Sequence, residues 1–120
     1  MAQLAARLVP TMMAPEADAR ALQLARELMA AVAPGSYRAA LQAIVAFNRL
    51  GDLERIAVPT LCLAGAHDRN APPSVMRRMA EHIAGARYIC LPDAGHLANI
   101  EQPATFNAAV LQFLQDHFPA

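Results

Sequence analysis

The feature that most constrains this chain is a pair of short apolar runs separated by an amphipathic stretch. The first run covers residues 59–65 and stops at a glycine, and the second covers residues 87–92. Their length and flanking residues favour strands buried on both faces, which is typical of parallel sheets. Pro73 can begin a helix between them. Its predicted buried face consists of Val75, Met76, Met79, Ala80 and Ile83. The sequence therefore predicts one βαβ unit with parallel strands and a right-handed crossover.

Two amphipathic helices are predicted before this unit. Apolar residues recur every three or four positions over residues 21–32, and Pro34-Gly35 is expected to end that helix. A second helix is expected from about Tyr37 to Leu50. The predicted apolar faces contain Ala21, Leu24, Ala25, Leu28, Met29 and Val32 in the first helix, and Leu41, Ile44 and Val45 in the second. Residues 1–15 are apolar but interrupted by Pro10 and Pro15, so no helix is predicted there.

A last helix begins at Pro103 and completes an α/β chain with the element order α-α-β-α-β-α. Its predicted buried face is Phe106, Val110, Phe113 and Leu114. Residues 1–56 are expected to form a helical segment and residues 57–120 a βαβα segment. Two strands do not make a stable sheet, and apolar strands need cover on their faces and edges. The chain is therefore expected to be part of a larger fold, with self-association through the exposed strand edge as a possibility.

Charge and composition exclude several classes of function. Ten acidic and ten basic residues cancel, so neither a nucleic acid nor a membrane surface is expected as a partner. All ten basic residues are arginine, which excludes a lysine Schiff base and a P-loop lysine. No apolar stretch approaches the roughly 18 residues that span a bilayer. The apolar fraction is 56%, but 28 residues are alanine, so the core is expected to be thin.

The two cysteines lie inside the apolar runs. Cys62 belongs to the first strand and Cys90 to the second, and both are interpreted as buried core thiols in a reducing compartment. No CxxC or HExxH spacing occurs, and a site built from His67, Asp68 and His96 matches no known ligand motif. Neither a metal nor a cofactor is expected. The expected location is the cytoplasm.

The loops that follow the two strands each contain a titratable side chain. Asp68 follows the first strand and His96 the second. Because the carboxyl ends of adjacent parallel strands meet at one edge, the two side chains are expected to lie close together. A carboxylate there can accept from the imidazole Nδ1–H and so orient the ring as a base. From the pattern alone, a loop-capping Asp and an unrelated His remain equally possible.

A resemblance favours the catalytic interpretation. The stretch from Pro59 to Leu114, PTLCLAGAHDRNAPPSVMRRMAEHIAGARYICLPDAGHLANIEQPATFNAAVLQFL, resembles the C-terminal third of the α/β-hydrolase fold. Residues 4–56 are similar to the cap helices of its 3-oxoadipate enol-lactonase-like branch. The resemblance implies a partial α/β-hydrolase fold in which Asp68 is the acid and His96 the base of a Ser-His-Asp triad. It also implies a small-molecule ester or lactone substrate.

The nucleophile of that family is missing from the sequence. It lies in a G-x-S-x-G turn, and no such motif occurs here. The only serines, Ser36 and Ser74, lie at predicted helix starts and are interpreted as N-caps. The chain is therefore expected to be inactive alone. The alternatives are a non-catalytic module that associates through its sheet edge and a truncated remnant with no activity. His67, Tyr37 and Phe47 are interpreted as loop or packing residues rather than as substrate contacts.

Overall fold

A computed structural model describes residues 1–119 of the chain. It contains two strands, six α-helices and one 3-10 helix. In chain order these are α1 Ala2–Met12, α2 Ala19–Ala31, α3 Pro34–Ala46, a 3-10 helix Leu50–Arg55, β1 Leu61–Gly65, α4 Pro73–His82, β2 Arg87–Leu91, α5 Ala98–Glu101 and α6 Pro103–His117. The predicted order of elements is confirmed, and α1 and the short α5 are additions to it.

The sheet is the predicted βαβ unit. Strands β1 and β2 are parallel, and their register pairs Leu61 with Arg87 and Gly65 with Leu91. Helix α4 forms the crossover and packs on both strands. The two strands therefore end level with each other, and the loops that follow them leave the sheet at the same edge.

Helix α1 forms although Pro10 lies inside it. Proline removes one N–H donor and disfavours a helix interior, which is why the sequence predicted none here. Pro10 lies in the last turn, however, and the spacing of Ala5 and Val9 places both on one face. These two side chains are buried against Ala21 and Ala25 of α2. Tertiary packing of the two helices therefore outweighs the local effect of the proline.

The boundary between α2 and α3 differs from the prediction. Helix α2 ends at Ala31, and α3 begins at Pro34 instead of near Tyr37 and ends at Ala46. Proline is favourable in the first turn, where its missing N–H has no intrahelical acceptor and its fixed φ suits a helix. Pro34 is thus a start signal for α3, and the sequence analysis was wrong to treat it only as a stop signal for α2.

The predicted apolar faces of the helices are only partly buried. Helix α3 has no buried residue, and its apolar side chains Leu41, Ile44 and Val45 are exposed. In α2 the small residues Ala21 and Ala25 are buried, whereas the larger apolar residues of the same stripe are not. Five further residues that were predicted to be in the core are exposed: Leu24, Leu28, Val32, Val75 and Leu114. The periodicity was read correctly, but these faces meet little of the described chain.

The cysteines have different environments. Cys62 is buried in a cluster with Ala80 of α4 and Ile83, the residue after α4. Burial raises the pKa of the Cys62 thiol. Cys90 is exposed, so the prediction that both thiols are buried was wrong for this residue. It lies on β2 next to the half-buried Ile89 and the buried Leu91. Among residues 1–119, no helix is both long enough and apolar enough to cross a bilayer.

Candidate active site

The site begins with Asp68, three residues after the end of β1. Its backbone N–H donates to Gly65 O, which closes a tight turn at the end of the strand. Its Oδ1 accepts from the backbone N–H of Asn70 at 2.8 Å and of Ala71 at 3.0 Å. Aspartate favours such turns because its short side chain can bond to the backbone two residues further on. Asp68 is buried, and its carboxylate is held in one orientation.

His96 lies in the loop after β2 and faces Asp68. Its Nδ1 is 2.9 Å from Asp68 Oδ2. An ionised carboxylate only accepts hydrogen bonds, so Nδ1 carries the proton in this pair and Nε2 has a free lone pair in the neutral ring. The imidazole is about one-third exposed, at 36%, whereas the Asp68 side chain is only 7% exposed. The structure thus brings together the two residues that the sequence predicted to meet.

The surroundings of Asp68 keep its carboxyl ionised. Burial alone raises the pKa of this group. The hydrogen bonds from Ala71, His96 and Asn70 act in the opposite direction and together outweigh burial, so the pKa of Asp68 lies below its ordinary value of 3.8. A permanently charged acceptor is what an imidazole needs to take up a proton at Nε2, because it stabilises the resulting imidazolium.

Two glycines allow the loops of Asp68 and His96 to approach closely. A Cβ on Gly65 would overlap the backbone carbonyls of Ala94 and Gly95. The N–H of His67 donates to Ala94 O at 2.9 Å across this contact. A Cβ on Gly95 would in turn lie 2.5 Å from Met12 O. Three backbone segments therefore stack, with the His96 loop between the end of β1 and the end of α1.

The sequence analysis missed Glu101, a buried acidic residue in this stack. Its Oε1 accepts from the N–H of Gly95 at 2.9 Å and of Leu97 at 3.2 Å, and its Oε2 accepts from Ala14 N–H at 2.6 Å. The available signal was an acidic residue in the apolar segment just after His96, since glutamate is rarely buried without partners. Its most distant partner, however, is 87 positions away and cannot be identified from the sequence.

Two cavities lie near the pair, one lined in part by Asp68 and the other in part by Leu97, the residue after His96. One of about 420 Å³ is lined by Pro10, Thr11, Met13, Pro15, Ala66, His67, Asp68 and Arg69. The other, of about 360 Å³, is mostly apolar and is lined by Val9, Met12, Ala25, Leu28, Met29, Val32, Tyr37, Leu97 and Ile100. His67 and Tyr37 thus line cavities, whereas Phe47 lines a different groove beside the 3-10 helix.

Neither serine lies where a nucleophile is needed. Ser36 is the third residue of α3 and Ser74 the second of α4, so the prediction that they are N-caps was wrong. The N-cap positions are occupied by Ala33 and Pro72. Within residues 1–119, no hydrogen bond joins either serine to His96, and no group of three His, Cys, Asp or Glu side chains is arranged to bind a metal ion.

Comparison with known proteins agrees with this geometry. Residues 2–109 match the family described as the alpha/beta hydrolase family. The match covers most of the chain, including the Asp68 and His96 loops and the helices before β1. The chain therefore belongs to the alpha/beta hydrolase family, and the resemblance noted from its sequence is confirmed.

Among individual relatives, 3-oxoadipate enol-lactonase 2 of Acinetobacter baylyi is 33% identical over 73% of this chain and 32% of its own length. The enol-lactonase of Burkholderia xenovorans LB400 superposes with a TM-score of 0.89 at 33% identity, covering 96% of this chain and 45% of its own. A thermophilic esterase from Thermogutta terrifontis gives 0.87 at 28% identity, covering 96% and 44%. The chain thus spans about a third of this curated relative and less than half of these solved chains.

Proposed function

We propose that Asp68 and His96 are the acid and base of a hydrolase that cleaves small-molecule carboxylic esters or lactones through a serine nucleophile. The observation that carries this proposal is the 2.9 Å contact between His96 Nδ1 and a buried, backbone-bonded carboxylate oxygen of Asp68. This contact directs Nε2 away from the acid. Nε2 is the atom that takes a proton from an attacking hydroxyl in a triad.

The proposed chemistry assigns one task to each group. His96 Nε2 accepts the hydroxyl proton as the serine oxygen attacks the acyl carbon, and it later returns that proton to the leaving alkoxide. Asp68 remains ionised, fixes the ring and stabilises the imidazolium. A water molecule then attacks the acyl-enzyme, with His96 again acting as base and returning the proton to the serine oxygen as the carboxylic acid leaves. The sequence contains no G-x-S-x-G turn, so we propose that the nucleophile and the oxyanion hole come from outside these 120 residues.

The relatives support the substrate class. The most similar solved structures include an enol-lactonase and an esterase, and both names describe hydrolysis at an acyl carbon. We propose that residues 1–56 act as a cap over the site and residues 57–120 as the segment that supplies the acid and base. The cavity beside Tyr37 lies between helices of this cap and the residues Leu97 and Ile100, which follow His96. No cofactor is required for the proposed reaction.

The proposal can be tested with a chimera. The chain is fused behind the part of the Burkholderia enol-lactonase that lies outside the matched 45% of that protein. We expect the chimera to hydrolyse a p-nitrophenyl ester and the 120-residue chain alone to give no turnover above buffer. His96→Ala in the chimera is expected to lower kcat roughly 10³-fold or more, because the serine loses its base.

The control is His82→Ala, which removes an exposed histidine that pairs with Glu54. Its kcat is expected to stay within about twofold of the unmodified chimera, in line with a surface substitution. A folded chimera whose activity does not depend on His96 would contradict the proposed base. Turnover by the chain alone that is lost on His96→Ala would contradict the need for an external nucleophile.

A second candidate function is a non-catalytic module that associates through its sheet. In residues 1–119 the sheet consists of β1 and β2 only, so each strand has an edge without a strand neighbour. Exposed edges of apolar strands favour pairing with another chain. This candidate predicts a discrete oligomer in light scattering that dissociates in Val58→Lys, a change at an exposed position before β1. A monomer at all concentrations would remove it.

The proposed location is the cytoplasm. Both Cys62 and Cys90 are free thiols, and Cys90 is exposed. Exposed free thiols persist more readily in a reducing compartment than in an oxidising one. A thiol reagent that cannot cross the cytoplasmic membrane should leave Cys90 unlabelled in intact cells. Labelling of Cys90 under these conditions would contradict this location.

A further inference from the structure

Glu101 is a buried carboxylate that the proposed reaction does not use. It is 7% exposed and lies at the end of α5, five residues after His96. Among residues 1–119 it forms no ion pair, and its partners are three backbone N–H groups. A buried charge is costly unless hydrogen bonds compensate it. The site therefore includes an anion that is stabilised by backbone donors rather than by a cation.

These donors surround His96. The N–H groups of Gly95 and Leu97, on either side of the histidine, both donate to Glu101 Oε1. The N–H of His96 itself donates to Met12 O at 2.7 Å. All three consecutive N–H groups of the loop are thus bonded, and the backbone from which the imidazole projects has little freedom.

The other oxygen of Glu101 reaches a different part of the chain. Oε2 accepts from Ala14 N–H, two residues after α1 ends. The end of α1 is therefore bonded to the His96 loop twice. Met12 O accepts directly from the N–H of His96, and Ala14 N–H is linked to the loop through Glu101. Met13, between them, lines the 420 Å³ cavity together with Asp68. The carboxylate joins the wall of this cavity to the histidine loop.

Of the side chains as long as glutamate, only a carboxylate can accept hydrogen bonds at both ends from these three N–H groups. Donors approach both oxygens, so both must accept. A glutamine offers one acceptor oxygen, and its NH₂ group would face a backbone N–H on the other side. Leaving a buried donor without an acceptor costs about 1–3 kcal/mol, so the amide cannot replace the acid without loss at one end.

We propose that Glu101 is a positioning residue for His96. It clamps the histidine loop to the residues that follow α1, so that Nδ1 stays directed at Asp68. This inference rests on the proposed role of His96 as the base. Its test uses the 120-residue chain and a spectroscopic signal instead of turnover, so that failure of this inference and failure of the proposed function give different results.

The experiment compares the His96 Nδ1 proton in ¹⁵N-histidine NMR spectra of variants of the full chain. In the unmodified chain we expect a downfield Nδ1–H resonance, because this proton is held by Asp68. In Glu101→Gln we expect its exchange with water to accelerate roughly tenfold or more, the factor that corresponds to about 1.4 kcal/mol. The matched control Glu81→Gln makes the same chemical change at an exposed residue of α4 and should leave the exchange rate within twofold.

A second control separates positioning from general loss of stability. Ile83→Val removes one methylene from the buried cluster around Cys62, away from the histidine loop. If Ile83→Val accelerates the exchange as much as Glu101→Gln does, or if Glu101→Gln leaves it unchanged, Glu101 is not a positioning residue.

A further measurement needs no variant and decides the question if Glu101→Gln does not fold. The amides of Ala14, Gly95 and Leu97 share one carboxylate, so in the unmodified chain they are expected to exchange with deuterium at rates within threefold of one another. Exchange of Ala14 more than tenfold faster than that of Gly95 and Leu97 would overturn the proposed clamp between the two segments.

Discussion

The histidine loop and helix α3 are held in the structure by different means. Around His96, backbone groups of three distant segments are bonded to one another, and Ala94, Asp68 and Glu101 are all buried. Helix α3 has the opposite character. It is bonded within itself, has no buried residue, and exposes 87% of Val45 and 68% of Ile44.

The difference shows which parts of the chain depend on particular side chains. Around His96 a glycine, an aspartate and a glutamate make contacts that depend on the size of the residue or on its carboxylate oxygens. In α3 the helix follows from local propensity and a starting proline, and its apolar side chains are interchangeable as far as the described chain is concerned. Substitutions in the two regions should therefore differ sharply in cost.

The largest difference is expected between Gly65→Ala and Gly35→Ala. A methyl at Gly65 overlaps the carbonyls of Ala94 and Gly95, which are backbone atoms and cannot rotate away. We expect a loss of about 3 kcal/mol in the free energy of unfolding, at the upper end of overpacking costs. A methyl at Gly35, in α3, meets open space and should stabilise the helix by about 0.5 kcal/mol. Urea unfolding of both variants measures the difference.

The same measurement can contradict the comparison. A Gly65→Ala variant as stable as Gly35→Ala would mean that the stacked backbones separate without cost. The close contact at the end of β1 would then not hold the Asp68 and His96 loops together.

An intermediate difference is expected between Val9→Ala and Val45→Ala. Val9 is 1% exposed in the contact of α1 with α2, and losing its two methyl groups should cost about 2 kcal/mol. Val45 is exposed on α3, and the same change should alter stability by less than about 0.5 kcal/mol. Thermal unfolding at several protein concentrations measures both. A concentration-dependent loss in Val45→Ala would show that another copy covers α3.

The sequence predicted the parts of the fold that depend on local pattern. The βαβ unit and the meeting of Asp68 with His96 follow from two apolar runs and the loops after them. Helix α1 was missed because its stability comes from the burial of Ala5 and Val9 against α2, which outweighs the presence of Pro10. The exposure of Cys90 and of the α3 face was also missed, because periodicity identifies an apolar face but not whether another element covers it.

Glu101 was missed for a different reason. Its role depends on a backbone donor at Ala14, far away in the sequence, and no side-chain pattern marks a backbone N–H as available. Polar contacts between distant backbone segments are thus the component of the site that requires the structure. The assignment of Asp68 and His96 as acid and base stays a proposal, although their proximity is as predicted.

The smallest expected effect concerns the charge of Asp68. Asp68→Asn retains the shape of the side chain but removes one acceptor, so at neutral pH we expect a loss of about 1 kcal/mol in the free energy of unfolding. The folded-state pKa of Asp68 lies below its ordinary value of 3.8, because hydrogen bonds from Ala71, His96 and Asn70 outweigh burial. Stability from the charge is therefore fully present above the unfolded pKa and is lost as pH falls through the folded pKa.

Below about pH 4 the stability difference between the unmodified chain and Asp68→Asn should then shrink, because the Asp68 carboxyl takes up its proton. Urea unfolding at pH steps down to about 3 measures it, with Asp93→Asn, at an exposed aspartate of the histidine loop, as the control for loss of a surface carboxylate. A difference that grows as the pH falls below about 4 would mean that burial dominates the titration of Asp68. The carboxyl would then be protonated too readily to stabilise an imidazolium. Charge would then not be one of the differences between the surroundings of His96 and helix α3.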